Sequence, residues 1–443
     1  MDDDVEVDVG ADDFIEDEAD IAGSANEIRD TPDKKEPLVV AKRWVVFAKD
    51  LPNLLKEISR RRNIPWYQQM AMKIGIDGGQ GFLKVALCLY EDISNDDFDI
   101  RPQKSPVKKK GKLKQFSELG QKKLIILFMG EKIPETHANV LKILEMLKIK
   151  TDGSIAGTFA SDLKLVNILI GIQGYSCTHA CPYCNIKTRG QEAYIGPYIH
   201  RTFGRCKTKY QEFIAPPTGR KKKHHAKDFE NCVHPPIIQA DENLLIMELL
   251  TPPSLHLFLG LGNRIFDQLQ EETIELKNSR TMSMTAYQWA HASPRCIVKE
   301  QYYGKKLNGP NLNKLLQNAE ALTAFLPESL KKFGEALQKL DRMKKSCFSL
   351  DLHPDWEIHH KDFIEGFLEL GIPRFPKFHI TEVHVPEIIK IKQTGLGRFT
   401  EAPFESVHKE FKNEWSRYKR HKGSTSYPWK LKDAVVAHNS MRL

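Results

Sequence analysis

Two sets of side chains in this 443-residue chain have the types and spacing for metal chemistry. The first begins with Cys181-Pro182-Tyr183-Cys184, a Cys-x-x-Cys pair on a proline-containing turn that presents two thiolates to one tetrahedral ion. Far downstream, His379 and His384 in Phe378-His379-Ile380-Thr381-Glu382-Val383-His384 offer two imidazoles about one helical turn apart. Two sulfurs and two nitrogens would close a structural Zn²⁺ site. Such a site would also return the exit of a long insertion to its entry. Cys177 is a spare thiol that could compete as a ligand. A redox role for Cys-x-x-Cys needs a strand–helix setting of the thioredoxin kind, whereas this pair follows a predicted helix.

The second set is acidic. Asp77 ends a predicted strand beside Gly78, Gly79 and Gly81, which would let a backbone or a phosphate approach closely. Asp162 ends a later predicted strand. If those strands are neighbours, the two carboxylates meet at one edge of the sheet. Glu405, near the start of a late amphipathic helix, is the best third acid, and Glu401 one turn earlier is its alternative. Hard oxygen ligands suit Mg²⁺ or Mn²⁺. Two such ions about 4 Å apart can activate a hydroxyl and stabilise the leaving oxygen of a phosphodiester. Taken singly, each acid reads equally as a cap or a solvated charge, and Asp-Gly as a turn. His256, on an apolar helix, reads as a satisfied core histidine.

The elements that must position these residues follow from periodicity. Ile74 and Ile76, then Phe82, Leu83, Val85, Leu87 and Leu89, form two β-type runs around the glycine turn. Lys123–Met129 reads as a third strand and Ile155–Ala160 as a fourth. Thr136 is placed to cap a helix carrying Val140, Leu141, Ile143, Leu144 and Leu147. From about residue 175 to 377 helices and polar loops replace strand alternation. Asn311–Lys345 reads as a helix pair broken at Pro327, and Phe404, Val407, Phe411 and Trp415 stripe one face of the last helix. A three-strand meander followed by strand–helix alternation predicts an α/β fold, a ribonuclease-H-like mixed sheet interrupted by a long helical, zinc-binding insertion. The expected divisions are an acidic disordered tail at 1–37, a helical lead-in at 38–71, the first part of the core at 72–174, the insertion at 175–390, and a C-terminal core helix at 391–443.

Charge divides the same way. Residues 1–36 hold 15 acids against three bases, and the remainder carries a net +20. The acidic start argues against a secretory signal, no apolar run reaches membrane-spanning length, and eight dispersed cysteines do not make a disulfide scaffold. Arg60, Arg61 and Arg62, then Lys108, Lys109 and Lys110, then Arg220, Lys221, Lys222 and Lys223 are clusters able to neutralise phosphates, each equally readable as a solvated face or nuclear-import signal.

These motifs together resemble the Transib transposases and the related recombination-activating recombinase. Ile76-Asp77-Gly78 is similar to the family's first-carboxylate motif. Asp162-Leu163-Lys164-Leu165-Val166, with Cys181-x-x-Cys184 nineteen residues beyond Asp162, is similar to the second carboxylate and its zinc pair. Leu255-His256 with Gly262-Asn263 resembles a helix of the family's insertion. The most specific likeness is Phe378 to Ile389, followed by Glu405-Ser406 opening a basic, aromatic helix. The resemblance spans roughly residues 70–443 and is thin between 185 and 240. It implies a catalytic triad of Asp77, Asp162 and Glu405 binding two Mg²⁺ or Mn²⁺, and Zn²⁺ on Cys181, Cys184, His379 and His384. It also implies DNA nicking and strand transfer on double-stranded DNA, nuclear location and dimeric action. A domesticated, non-enzymatic DNA- or chromatin-binding descendant is the alternative. The family's sizeable N-terminal DNA-binding modules have no counterpart in the about 35 residues between tail and core, so end recognition is expected to be weak, partner-supplied or lost.

Overall fold

A computed structural model describes residues 7–15, 40–62, 70–79, 81–91, 123–149, 157–217, 224–300, 305–418, 420–421 and 424–443. The chain divides into two units. One comprises Met1–Ser161, Pro236–Asp241 and Ala402–Leu443, and the other Asp162–Pro235 and Glu242–Glu401. The second unit therefore starts earlier than the expected insertion, directly after the fourth predicted strand, and ends later.

The first unit is built on a mixed sheet of β1 (Val7–Ile15), β2 (Val40–Ala48), β3 (Met70–Gly79), β4 (Phe82–Glu91), β5 (Ile125–Glu131) and β6 (Gly157–Ala160), in the order β1-β2-β5-β4-β3-β6. The predicted meander is present: β3, β4 and β5 pair antiparallel. β6 then lies parallel to β3, with Gly75 paired to Ala160. Asp77 and Asp162 each follow two residues beyond that pair.

Two expectations are corrected. Residues 7–15 of the acidic tail form a strand rather than a disordered leader, antiparallel to β2 in a register that sets Asp12 opposite Arg43 and Asp13 opposite Lys42. The rest of the tail lies outside the described residues. The lead-in is also not all helix. Its Val45, Val46 and Phe47 are β-favouring types and pair with β5, and only α1 (Leu51–Arg62) is helical.

Helix α2 (His137–Met146) opens on Thr136, whose hydroxyl accepts the Asn139 amide at 3.2 Å. The helices α14 (Ala402–Arg417) and α15 (Tyr427–Ser440) bury Phe404, Val407, Phe411, Leu431, Ala434 and Val435 against Val46, Ala86, Cys88, Leu124, Ile126 and Met129 of the sheet unit. The stripe predicted for the last helix is thus its core face, with Trp415 at its margin. Past the end of the β2 pairing, Ile126 meets the side chain of Asn439 instead of a strand. The Ile126 amide donates to Oδ1 at 2.9 Å, and Nδ2 donates to its carbonyl at 2.9 Å. Buried backbone groups are thereby satisfied where the ladder stops.

The second unit is helical, running from α3 (Leu163–Leu169) to α13 (Val385–Lys392). The stretch read as a pair broken at Pro327 is three helices, with a further break at Asn318. No described helix is long and apolar enough to cross a membrane.

A Cβ at Gly75 would overlap the ring of Phe404, which lies against that strand. Gly75→Ala should therefore destabilise the protein by about 1–3 kcal/mol and Phe404→Ala by about 3–5 kcal/mol. Urea unfolding checks both, and Phe404→Leu combined with Gly75→Ala should recover part of the Gly75→Ala loss.

Candidate metal centres

The four predicted zinc ligands come together. One ligand atom from each of Cys181, Cys184, His379 and His384 lies within 4.8 Å of all the others, and all four residues are buried. The Cys184 Sγ to His379 Nε2 distance is 3.3 Å. Sequence spacing alone does not explain how the histidines converge. Residues five apart on a regular α-helix point about 140° away from each other. Here α12 (Pro376–His379) runs into a π-helical turn over Ile380–His384, and the Val385 amide bonds the carbonyl five residues back, Ile380 O. That wider winding brings His384 round to the side of His379. Pro386 explains the widening, because it lacks an amide and its ring would crowd the carbonyl four residues back.

His384 Nδ1 is 2.7 Å from Glu387 Oε2, which leaves Nε2 buried without a hydrogen-bond partner. An orphaned imidazole nitrogen beside two thiols is the donor set of a tetrahedral metal site, with Glu387 orienting the ring from behind. Burial disfavours the Cys181 thiolate, yet the Cys184 hydrogen bond and the charge on His384 outweigh it and hold Cys181 well below the usual thiol range. Burial likewise opposes the His384 imidazolium, but Cys181 and Glu387 raise it to about 9. Cys177 does not join the cluster. Its sulfur bonds Gln173 O at 3.4 Å, and burial pushes the thiol up to about 11.

Arg201, which sequence reasoning missed, fastens the Cys-x-x-Cys turn. Fully buried, it sends Nε to the carbonyls of both Cys181 and Cys184 at 3.0 Å each. Its guanidinium also reaches His179 O at 3.2 Å and both the carboxylate (3.2 Å) and the carbonyl (3.1 Å) of Glu230. Glu230 is shared with Arg205. A single arginine in an irregular segment gives no periodic signal, so nothing in the sequence marks it.

The acidic set is gathered only in part. Within the first unit, Asp77 Oδ2 lies 2.8 Å from Lys84 Nζ and 2.8 Å from His408 Nε2. Burial works against the Asp77 carboxylate, but His408 and Lys84 hold it below its ordinary range. The Lys84 side chain is fully buried, and burial lowers its ammonium to about 8 against the opposing pull of Asp77, Glu405 and Glu135. Glu405 is thus close enough to Asp77's partner to act on it. Glu135 is a further acid that the sequence reading passed over, and its carboxylate lies against Gly78. The glycines next to Asp77 do permit close approach, but side chains use the space: a Cβ on Gly79 would meet His408 Nε2 at 2.9 Å.

In the second unit, Asp162 caps α3, its Oδ1 accepting the Leu165 amide at 2.8 Å. Glu401 is engaged elsewhere. Its Oε1 accepts the His256 amide at 2.9 Å and sits 2.9 Å from His256 Nδ1, at the start of α6 (Ser254–Asn278). A carboxylate there satisfies an otherwise open helix-terminal amide; His256 is satisfied as expected, but it is half-buried at the start of the helix rather than in the core. Of the basic clusters, Arg60 and Arg61 both pair with Glu57. Arg62 is used internally, bonding Arg442 O and Lys123 O. Lys108–Lys110 and Arg220–Lys223 lie outside the described residues.

A scan against protein-family models matches none to this chain, and a search of the curated proteins finds no match.

Replacing Arg201 by Met would leave the carbonyls of Cys181, Cys184 and Glu230 without this donor, and the Glu230 carboxylate with Arg205 and Asn185 alone. A loss of about 3–5 kcal/mol is expected, measured by urea unfolding. Arg201→Lys should recover little of it, because an ammonium cannot reproduce the guanidinium fork.

Proposed function

We propose that the chain is a DNA transposase- or recombinase-like protein. In this reading Asp77, Asp162 and Glu405 hold two Mg²⁺ or Mn²⁺, and Cys181, Cys184, His379 and His384 hold one structural Zn²⁺. The observation that carries the reading is the parallel register of β6 on β3, with Asp77 and Asp162 each two residues past the Gly75–Ala160 pair. The antiparallel meander β3-β4-β5 with β6 parallel beside β3 supports a ribonuclease-H-like reading of the sheet. Glu405 is preferred to Glu401, because its charge reaches Lys84 beside Asp77 whereas Glu401 is bonded to His256.

These carboxylates would hold hard divalent ions, whose Lewis acidity would serve to activate water and stabilise a leaving oxygen, the chemistry that nicking and strand transfer need. The chain's own part is to set the oxygens and hold them. Phe404, the residue before Glu405, packs α14 against Gly75 of β3. Lys84 pairs with Asp77, and His408 lies 2.8 Å from the same carboxylate oxygen. The zinc set ties the turn after α3 to the segment at 379–384. Zinc is favoured over other ions by its two-sulfur, two-nitrogen donors.

The ion pairing of Asp77 also favours a second reading, a zinc-stabilised DNA- or chromatin-binding descendant that does not cut. A buried lysine already balances the carboxylate that catalysis would give to a metal.

Two measurements test the proposal. Wild-type protein should nick supercoiled plasmid in the presence of Mg²⁺ or Mn²⁺, and Asp77→Ala and Asp162→Ala should each lower this by at least about 100-fold. Metal-independent nicking that survives both substitutions would defeat it, and DNA binding without any cleavage would select the second reading. About one equivalent of zinc is expected in purified protein, lost in the Cys181→Ser, His384→Ala double variant. Unchanged zinc content would refute the four-ligand assignment.

A further inference from the structure

Glu387 faces two histidines. Its Oε2 is 2.7 Å from His384 Nδ1 and its Oε1 is 3.0 Å from His200 Nε2, and ligand atoms of all three residues fall within 4.8 Å of one another. We propose that His200, Glu387 and the outer nitrogen of His384 form a second metal site, taking an exchangeable divalent transition ion such as Zn²⁺ or Cu²⁺. The proposal rests on the zinc reading above, since His384 would serve both ions, Nε2 toward the thiolate set and Nδ1 toward the new one.

Three features support it. The donor set is two imidazoles and a carboxylate, which suits borderline divalent ions rather than Mg²⁺ or Ca²⁺. The site is open: the His200 side chain is 37% and that of Glu387 28% exposed, so an ion can enter and water can complete its shell. In the buried cluster, by contrast, protein donors supply all four positions. The position of His200 is also fixed by backbone rather than by chance side-chain packing. On either side of it the Asn185 amide bonds Ile199 O at 3.1 Å and the Arg201 amide bonds Tyr183 O at 2.9 Å. These contacts run His200 alongside Cys184, so the same turn that presents the thiolates presents this imidazole. Tyr198 borders the site, its hydroxyl 3.3 Å from Glu387 Oε1. On binding, the proton of His384 Nδ1 would leave to solvent and Glu387 would exchange its hydrogen bonds for the ion.

The full chain, purified with its first zinc, is titrated with Zn²⁺ by calorimetry and with Cu²⁺ by electron paramagnetic resonance. A second equivalent is expected, at least about tenfold weaker and removed by a mild chelator that leaves the first. Cu²⁺ at this site should show imidazole nitrogen hyperfine splitting. His200→Ala should abolish the second equivalent and keep the first, and Glu387→Gln, closer in shape, should weaken it at least about tenfold. A single equivalent, or a second that persists unchanged in His200→Ala, overturns the proposal. If wild type lacks the tight equivalent but still loses the weak one on His200→Ala, the four-ligand zinc reading fails while this site stands.

Discussion

The helical unit depends on one convergence: two sulfurs from a four-residue turn and two imidazoles from a segment nearly two hundred residues later, brought together out of water. Four polar donors at near-zero exposure are a cost to folding unless something satisfies them. Within the protein only some of that demand is met, by the contacts of Cys184 with His379 and Cys181 and by Glu387 behind His384. The rest of the local structure serves the same point. Arg201 spends its donors on the carbonyls of the turn and on Glu230, so the thiols are held from below by a buried ion pair that has no other evident use. The two histidines are held by a turn wound wider than a helix.

The sheet unit uses charge differently. Asp77 is on a strand whose neighbours are chosen for close packing: Phe404 against Gly75, Glu135 against Gly78 and His408 against Gly79. A carboxylate so placed needs compensation, and Lys84 from the adjacent strand supplies it at the facing register position. The result is an acidic cluster with a built-in cation at its centre. The lysine is itself destabilised as an ammonium by burial, so the pair is a balance rather than a permanent lock. That balance is what makes the acidic and the purely structural readings of this region compete.

Much of this was legible in the residues, for identifiable reasons. Alternation in Phe82–Leu89, the glycine turn before it, the Thr136 cap and the Phe404–Val407–Phe411 stripe each encode a local preference that tertiary packing then uses, so the corresponding elements appear where expected. The buried Cys/His cluster was legible because metal chemistry restricts residue types and spacing so tightly. What was hidden depended on long-range register or on one side chain. The acidic segment 7–15 looks unfoldable by its own composition, and becomes a strand only through its register on β2. Glu135, Lys84 and Arg201 are ordinary charged residues in sequence, distinguished only by what surrounds them. Glu405 was preferred on paper with Glu401 left open, because spacing cannot tell which carboxylate a helix terminus will claim.

The π-turn at Ile380–His384 makes the segment's length unequally forgiving. Removing one residue between the histidines would leave them four apart, and an unmodified α-helix already aligns such residues to within about 40°. Adding one would leave them six apart, about 120° out of phase, with no common winding to rescue the alignment. Drift in this stretch of the gene is therefore expected to tolerate shortening and to reject lengthening.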